Sequence, residues 1–132
     1  MEMMYDWCRA TDEVVDVFFP RPEITRLRLR LLREEYEETR AELLKLIENP
    51  AGGNRPELAK ELADMLYVIY GTGTSLGLDL DEAFWRVHHS NMSKVVDGKV
   101  TRDSGGKILK PASYEPPYMD DFGYVDSTGE YA

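Results

Sequence analysis

The chain of 132 residues carries 25 acidic and 16 basic side chains, a formal net charge of −9, with 42 % hydrophobic and 31 % charged residues. That balance fits one soluble globular domain, large enough to bury about two-thirds of the surface its unfolded chain exposes. The acidic field excludes non-specific binding to nucleic acid or anionic membrane, both of which need clustered positive charge, and admits an anionic small molecule only through a cation. A single cysteine, Cys8, allows neither an intrachain disulfide nor a cysteine metal site, and reads as a small buried hydrophobe. No apolar run approaches the ~20 residues of a membrane span, and MEMMYDWCRATDE lacks a signal-peptide layout, so the cytoplasm is expected.

Four segments have helical period. Residues 7–17 suit a short helix closed by Pro20 and Pro22. Pro22 then fits the first turn of a long helix over 22–48, which stops at ENPAGGN. A third helix starts near Pro56 with Asn54 as its cap and runs to Gly77. The fourth begins after Asp79 or Asp81 and reaches Val96, opened by acidic capping chemistry. Beyond it, VDGKVTRDSGGKIL suits a small hairpin around Ser-Gly-Gly, and GYVDSTGEYA a mobile tail. The expectation is a single domain over 1–132: a helical core over about 7–96, an arm over about 97–122 and a tail over 123–132. Long helices with short connections make it all-α, an antiparallel helical bundle.

The stretch REEYEE concentrates carboxylates on the long helix. With Glu34 at zero and ~100° per residue, Glu38 falls near ~40° and Glu35 near ~100°, on one arc with Leu27, Leu31 and Ile24. Glu37 falls near ~300°, outside that arc and beside Arg30 and Arg33, where a solvated charge belongs. On the third helix, Glu61 and Asp64 open a segment (LADMLYVIYGTGTSLG) apolar nearly all round, which reads as central and buried; Tyr67 and Tyr70 read as its core aromatics. Inward carboxylates are costly, and few inward basic residues exist to pair them. Two accounts remain open on these grounds, a hard divalent cation (Mg²⁺, then Mn²⁺) or a charged seam between helices. A di-iron bundle is set aside, because the positions three before His88 and His89 are Trp85 and Arg86 rather than glutamate.

EExxE at Glu34-Glu35-Tyr36-Glu37-Glu38, followed by ExxD at Glu61-Leu62-Ala63-Asp64, resembles the all-α nucleoside triphosphate pyrophosphohydrolases, which include MazG-like proteins, phosphoribosyl-ATP pyrophosphohydrolases and dimeric dUTPases. The longer text ELADMLYVIYGTGTSLGLDLDEAFWRVHHSNMSKVVDGKV, then GKILKPASYEPP, is similar to MazG-like proteins near the dUTP-hydrolysing members. The likeness covers residues 12–117. It implies a MazG-like bundle and Mg²⁺-dependent cleavage (Mn²⁺ as substitute) between the α and β phosphates of a (d)NTP, dUTP or a related dNTP foremost. The products implied are a monophosphate and pyrophosphate. The metal positions of the family fall on Glu35, Glu38, Glu61 and Asp64, and the residue that positions or deprotonates water on Glu34.

Asn91 and Lys94 share the apolar arc of the fourth helix. Lys94 reads as a phosphate contact and Asn91 as a base or sugar contact, against a helix cap and a buried hydrogen bond. His88 on that arc reads as a satisfied core or interface residue, and His89 as exposed. Lys107, Lys110 and Tyr114 either close over substrate or belong to a packing arm. Three substantial helices give a central apolar helix too little cover, so a homodimer is expected, or a dimer of dimers, with no nucleic-acid or membrane partner. The competing expectation is a non-catalytic helical dimer that binds a nucleotide or protein and keeps the acids as a vestigial metal site.

Overall fold

In the computed structural model, which describes residues 2–11, 13 and 21–122, the chain forms α1 (Glu2–Thr11), α2 (Pro22–Glu48), α3 (Arg55–Ser75) and α4 (Leu80–Met92). No strand forms among the described residues, and the chain is all-α. No described helix is long and apolar enough to cross a membrane. Contacts gather into two compact units: the first is built on α1, α2 and α3 and ends at Leu78, and the second begins at Asp79 with α4 and the arm after it.

Local chemistry sets the boundaries. Pro22 occupies the first turn of α2, where its missing N–H costs nothing. Asn54 Oδ1 accepts the Glu57 N–H (3.2 Å) at the start of α3, and Asp79 Oδ1 accepts the Glu82 N–H (3.0 Å) at the start of α4. At the far end of α3, the Leu78 N–H reaches the Gly73 carbonyl (2.8 Å) and Gly77, at φ 64°, bonds the Thr74 carbonyl (3.3 Å). That paired arrangement needs a left-handed residue, which glycine supplies.

Two helices differ from expectation. α1 lies at Glu2–Thr11 rather than 7–17, because Met4 and Cys8, one turn apart, are its buried pair; residues 12 and 14–17 lie outside the described residues. The first described helix begins at Glu2 and the last ends at Met92. α4 stops at Met92, four residues short of Val96. There the Ser93 hydroxyl donates to the Ser90 carbonyl (2.7 Å) and accepts the Glu115 N–H (2.9 Å), tying the arm to the helix end. The expected hairpin reduces to two isolated antiparallel bridges, Val96 with Lys99 and Arg102 with Ile108. The first closes a tight turn through Asp97 (φ 50°) and Gly98 (φ 72°). In the second, Asp103 Oδ1 accepts the N–H groups of Gly105 and Lys107, both at 2.9 Å. The expected tail, 123–132, lies outside the described residues.

α2 packs on α3, and the covered side of α2 steps through Arg28, Leu32, Glu35, Thr39, Glu42 and Leu46, a spacing of four and three that traces one stripe. The seam is mostly polar. Arg28 is buried against Gly71, whose hydrogen leaves room that a Cβ 3.0 Å from Nη1 would take, and its Nη2 pairs with Glu13 (2.6 Å). On α3 the covered side runs Glu57, Glu61, Asp64, Val68, Gly71 and Ser75, while Leu62, Leu66, Tyr67 and Ile69 are exposed. So α3 is not the buried central helix that its composition suggests within one chain, and Tyr67 is no core aromatic. Instead Tyr67 sits edge-on to Trp7 with ring centroids 5.8 Å apart. Both His88 and His89 are exposed.

Candidate active site

Helix α2 delivers REEYEE to the flank of α3. The side chains then sort by depth: Glu61 is 5 % exposed, Glu35 and Asp64 half-buried, and Glu34, Glu37 and Glu38 exposed. Glu37 turns outward as expected, although its cationic neighbour is Arg40 (3.7 Å) rather than Arg30 or Arg33. One carboxylate oxygen each from Glu35, Glu38 and Glu61 lies within 4.8 Å of the others. Asp64 stands beside this group, close enough for its charge to act on Glu35. Glu34, one turn before Glu38, acts on that neighbour in the same way.

The electrostatics follow from crowding. The Glu35 carboxyl is pushed above its ordinary value, first by burial and then by the charges of Glu38, Asp64 and Glu61. Glu38 is pushed up chiefly by the adjoining Glu61 carboxylate, with which it shares a hydrogen bond only when protonated. Glu61 moves the other way, held ionised first by Lys60. The Lys60 ammonium lies 3.0 Å from Glu61 Oε1 and 2.9 Å from Asp64 Oδ2, and its own proton is held more tightly as a result. Even so, Glu35 Oε2 and Glu61 Oε2 are buried with no hydrogen-bond donor. Buried anionic oxygens without donors are expensive. Three converging carboxylate groups with two such oxygens fit a hard divalent cation, whose preferred ligands are oxygens of this kind.

A second set of the expected residues gathers on α4 and the arm. Lys94 Nζ donates to Asn91 Oδ1 (2.7 Å), so these two form one unit on the helix end. Lys94 and Lys110 flank the Tyr114 ring, their ammonium groups 5.7 and 4.7 Å from its centroid. The Tyr114 hydroxyl lies 3.2 Å from Ser90 Oγ, which donates to the Glu115 carbonyl (2.7 Å). Lys94, Lys99 and Lys110 line a cleft of about 290 Å³. Lys107 is exposed beyond it, its backbone N–H on Asp103.

Lys60 and Lys99 were not anticipated from the sequence. Lys60 carried a signal: a lysine directly before one acid of ExxD and four residues before the other is placed to bridge both.

An all-α chain that presents EExxE and ExxD from two packed helices around donor-less carboxylates has the architecture of a helical nucleotide pyrophosphohydrolase. A family model for phosphoribosyl-ATP pyrophosphohydrolase matches residues 9–91, which take in both motifs, and the chain belongs to that family. It is a hydrolase acting on phosphorus anhydrides, a member of the MazG-like all-α superfamily. No match was found among curated proteins.

Proposed function

We propose that the chain is a Mg²⁺-dependent pyrophosphohydrolase that cleaves a (d)NTP, dUTP or a related dNTP foremost, between its α and β phosphates. The observation that carries this reading is the convergence of Glu35, Glu38 and Glu61 within 4.8 Å, two of them with buried oxygens lacking a donor. Glu35, Glu38, Glu61 and Asp64 would hold the ion, with Mn²⁺ as a substitute. A bound divalent cation neutralises phosphate oxygens and lowers the pKa of a coordinated water. Glu34, exposed on the same helix and outside the converging three, takes the proton of the attacking water at its carboxylate. Lys94 and Lys110 neutralise phosphate oxygens, and Asn91, which steadies Lys94, contacts base or sugar. Tyr114 orders both lysines through its ring, and Lys107 joins when substrate is bound. Such cations matter in a chain of net charge −9 that handles a polyanion.

The working form in this reading is a cytoplasmic homodimer. Leu62, Leu66 and Ile69 make an exposed apolar face on α3 at helical spacing, the kind of surface that a second copy covers. A second substrate is favoured by the family match: phosphoribosyl-ATP, also cleaved to a monophosphate and pyrophosphate.

The test is a panel of NTPs, dNTPs and phosphoribosyl-ATP incubated with Mg²⁺ and analysed for products. Monophosphate with pyrophosphate is expected, with kcat/KM naming the base and sugar. Diphosphate with phosphate contradicts the bond assignment. Absence of turnover with retained Mg²⁺-dependent stabilisation leaves a binding module.

A further inference from the structure

A chain of net charge −9 sets three lysines around one cleft. Lys94, Lys99 and Lys110 line its volume of about 290 Å³ together with Val100, Leu109 and Pro111, and no carboxylate stands among the described lining residues. Lys94 and Lys110 already have a part in the reading above, and Lys99 has none. Its backbone is nevertheless fixed from both sides. The Lys99 N–H donates to the Val96 carbonyl (2.9 Å) and the Lys99 carbonyl accepts the Val96 N–H (2.8 Å), across a turn that uses two left-handed residues, Asp97 and Gly98. The Leu109 N–H on the Thr101 carbonyl (2.8 Å) holds a further part of the wall. Lys94 is steadied by Asn91 Oδ1 (2.7 Å), and the Lys110 ammonium by the Tyr114 ring, 4.7 Å from its centroid. Solvated lysines need no such anchoring, whereas cations gathered at one place repel unless an anion lies among them.

We propose that this cleft is a pyrophosphate site in which Lys99 is the third cation, so that the arm grips the leaving group of the α–β cleavage without a divalent ion. The identity of the anion rests on the pyrophosphohydrolase reading above. Pyrophosphate is a compact polyanion with oxygens at both ends. Three ammonium groups, each with three donors, can share those oxygens, while orthophosphate offers one end only. The valine, leucine and proline in the wall lower the local dielectric and strengthen each contact. Scattered surface lysines would attract every anion weakly and alike. Selectivity and position are therefore the discriminating measurements.

Pyrophosphate is titrated into the full chain in EDTA, with no nucleotide present, by isothermal titration calorimetry. One pyrophosphate per chain is expected, bound at least ~10-fold more tightly than orthophosphate. Lys99→Gln should weaken pyrophosphate at least ~10-fold, whereas Arg9→Gln, which removes the same charge from an exposed position on α1, should change it less than ~2-fold. No bound pyrophosphate in the native chain at millimolar concentration overturns the site, as does native affinity in Lys99→Gln. Equal weakening in both variants reduces the effect to net charge and overturns it too. Neither metal nor turnover enters this titration, so its failure leaves the carboxylate centre standing. Release of diphosphate and phosphate in the nucleotide panel would instead remove pyrophosphate as the product, and the inference with it.

Discussion

Leu66 offers a direct measure of whether a second copy covers α3. In the single chain it is 56 % exposed, on one face with Leu62 and Ile69 and beside a cleft lined by Met3, Met4, Ala63, Tyr67 and Tyr70. Full burial of a leucine side chain is worth roughly 1.5–3 kcal/mol, so about half of that, on the order of 1 kcal/mol, remains to be gained at an interface. A two-fold interface uses the residue twice, which makes Leu66→Ala cost about 2 kcal/mol per dimer, or ~30-fold in Kd. Leu66→Lys adds the desolvation of a charge and should leave monomer at micromolar concentration. Sedimentation equilibrium over a concentration series measures both. The reasoning fails if the native chain sediments as a monomer throughout, or if Leu66→Lys associates as strongly as the native chain.

Glu38→Gln keeps the shape of an exposed side chain but withdraws one of three converging oxygens; Mg²⁺-dependent hydrolysis should fall at least ~100-fold, and full activity would remove Glu38 from the site. The pH response has a definite sign. Glu35 and Glu38 have raised values in the folded chain, so their contribution to stability is lost as pH rises through those values; Glu61, whose value is lowered, loses its contribution as pH falls. Cation binding needs all three ionised and releases their protons, so the Mg²⁺-induced rise in Tm should be larger at pH 8 than at pH 5, and equal shifts would contradict the coupling. Asn54→Ala, which removes the cap on the Glu57 N–H, should cost about 1 kcal/mol and lower Tm by a few degrees in calorimetry, with the metal response unchanged.

What the sequence made legible was the punctuation. Pro22, Asn54 and Asp79 mark helix starts through chemistry internal to a few residues, and α2, α3 and α4 begin within a residue or so of where those signals place them. α1 was displaced because its deciding contacts, Met4 and Cys8 in the interior, compete with an equally periodic reading a few residues later. The turns of the arm carry hairpin chemistry, yet only isolated bridges join its two sides. Lys60 escaped because a lysine among acids on a helix is the commonest solvated pattern there is. Only the distances to Glu61 and Asp64 set it apart.

The phase of α2 holds the deeper lesson. Leu27, Leu31 and Ile24 define an apolar arc that takes in Glu38 and borders Glu34, but the stripe covered by α3 is centred at Arg28, Glu35 and Thr39, ~65° further round. Glu35 belongs to both arcs and is half-buried, whereas Glu34 and Glu38 lie at the margin and are exposed. In a self-sufficient monomer the apolar arc and the covered stripe coincide, because both answer to the same core. Here they diverge on α2, and on α3 Leu62, Leu66 and Ile69 stand off the covered side in the same way. The polar seam between α2 and α3 positions carboxylates, while Leu62, Leu66 and Ile69 on α3 are exposed and on α2 Leu27 is exposed with Ile24 and Leu31 half-buried. In the proposed dimer a second copy laid against those faces would reconcile the arcs, and it would deepen the burial of Glu38 without moving it along the helix. The dissociation of Leu66→Lys should then be accompanied by weaker Mn²⁺ binding, although Leu66 is not among the carboxylates that hold the ion. Unaltered Mn²⁺ affinity in a monomeric Leu66→Lys protein would show that the metal centre is complete within one chain.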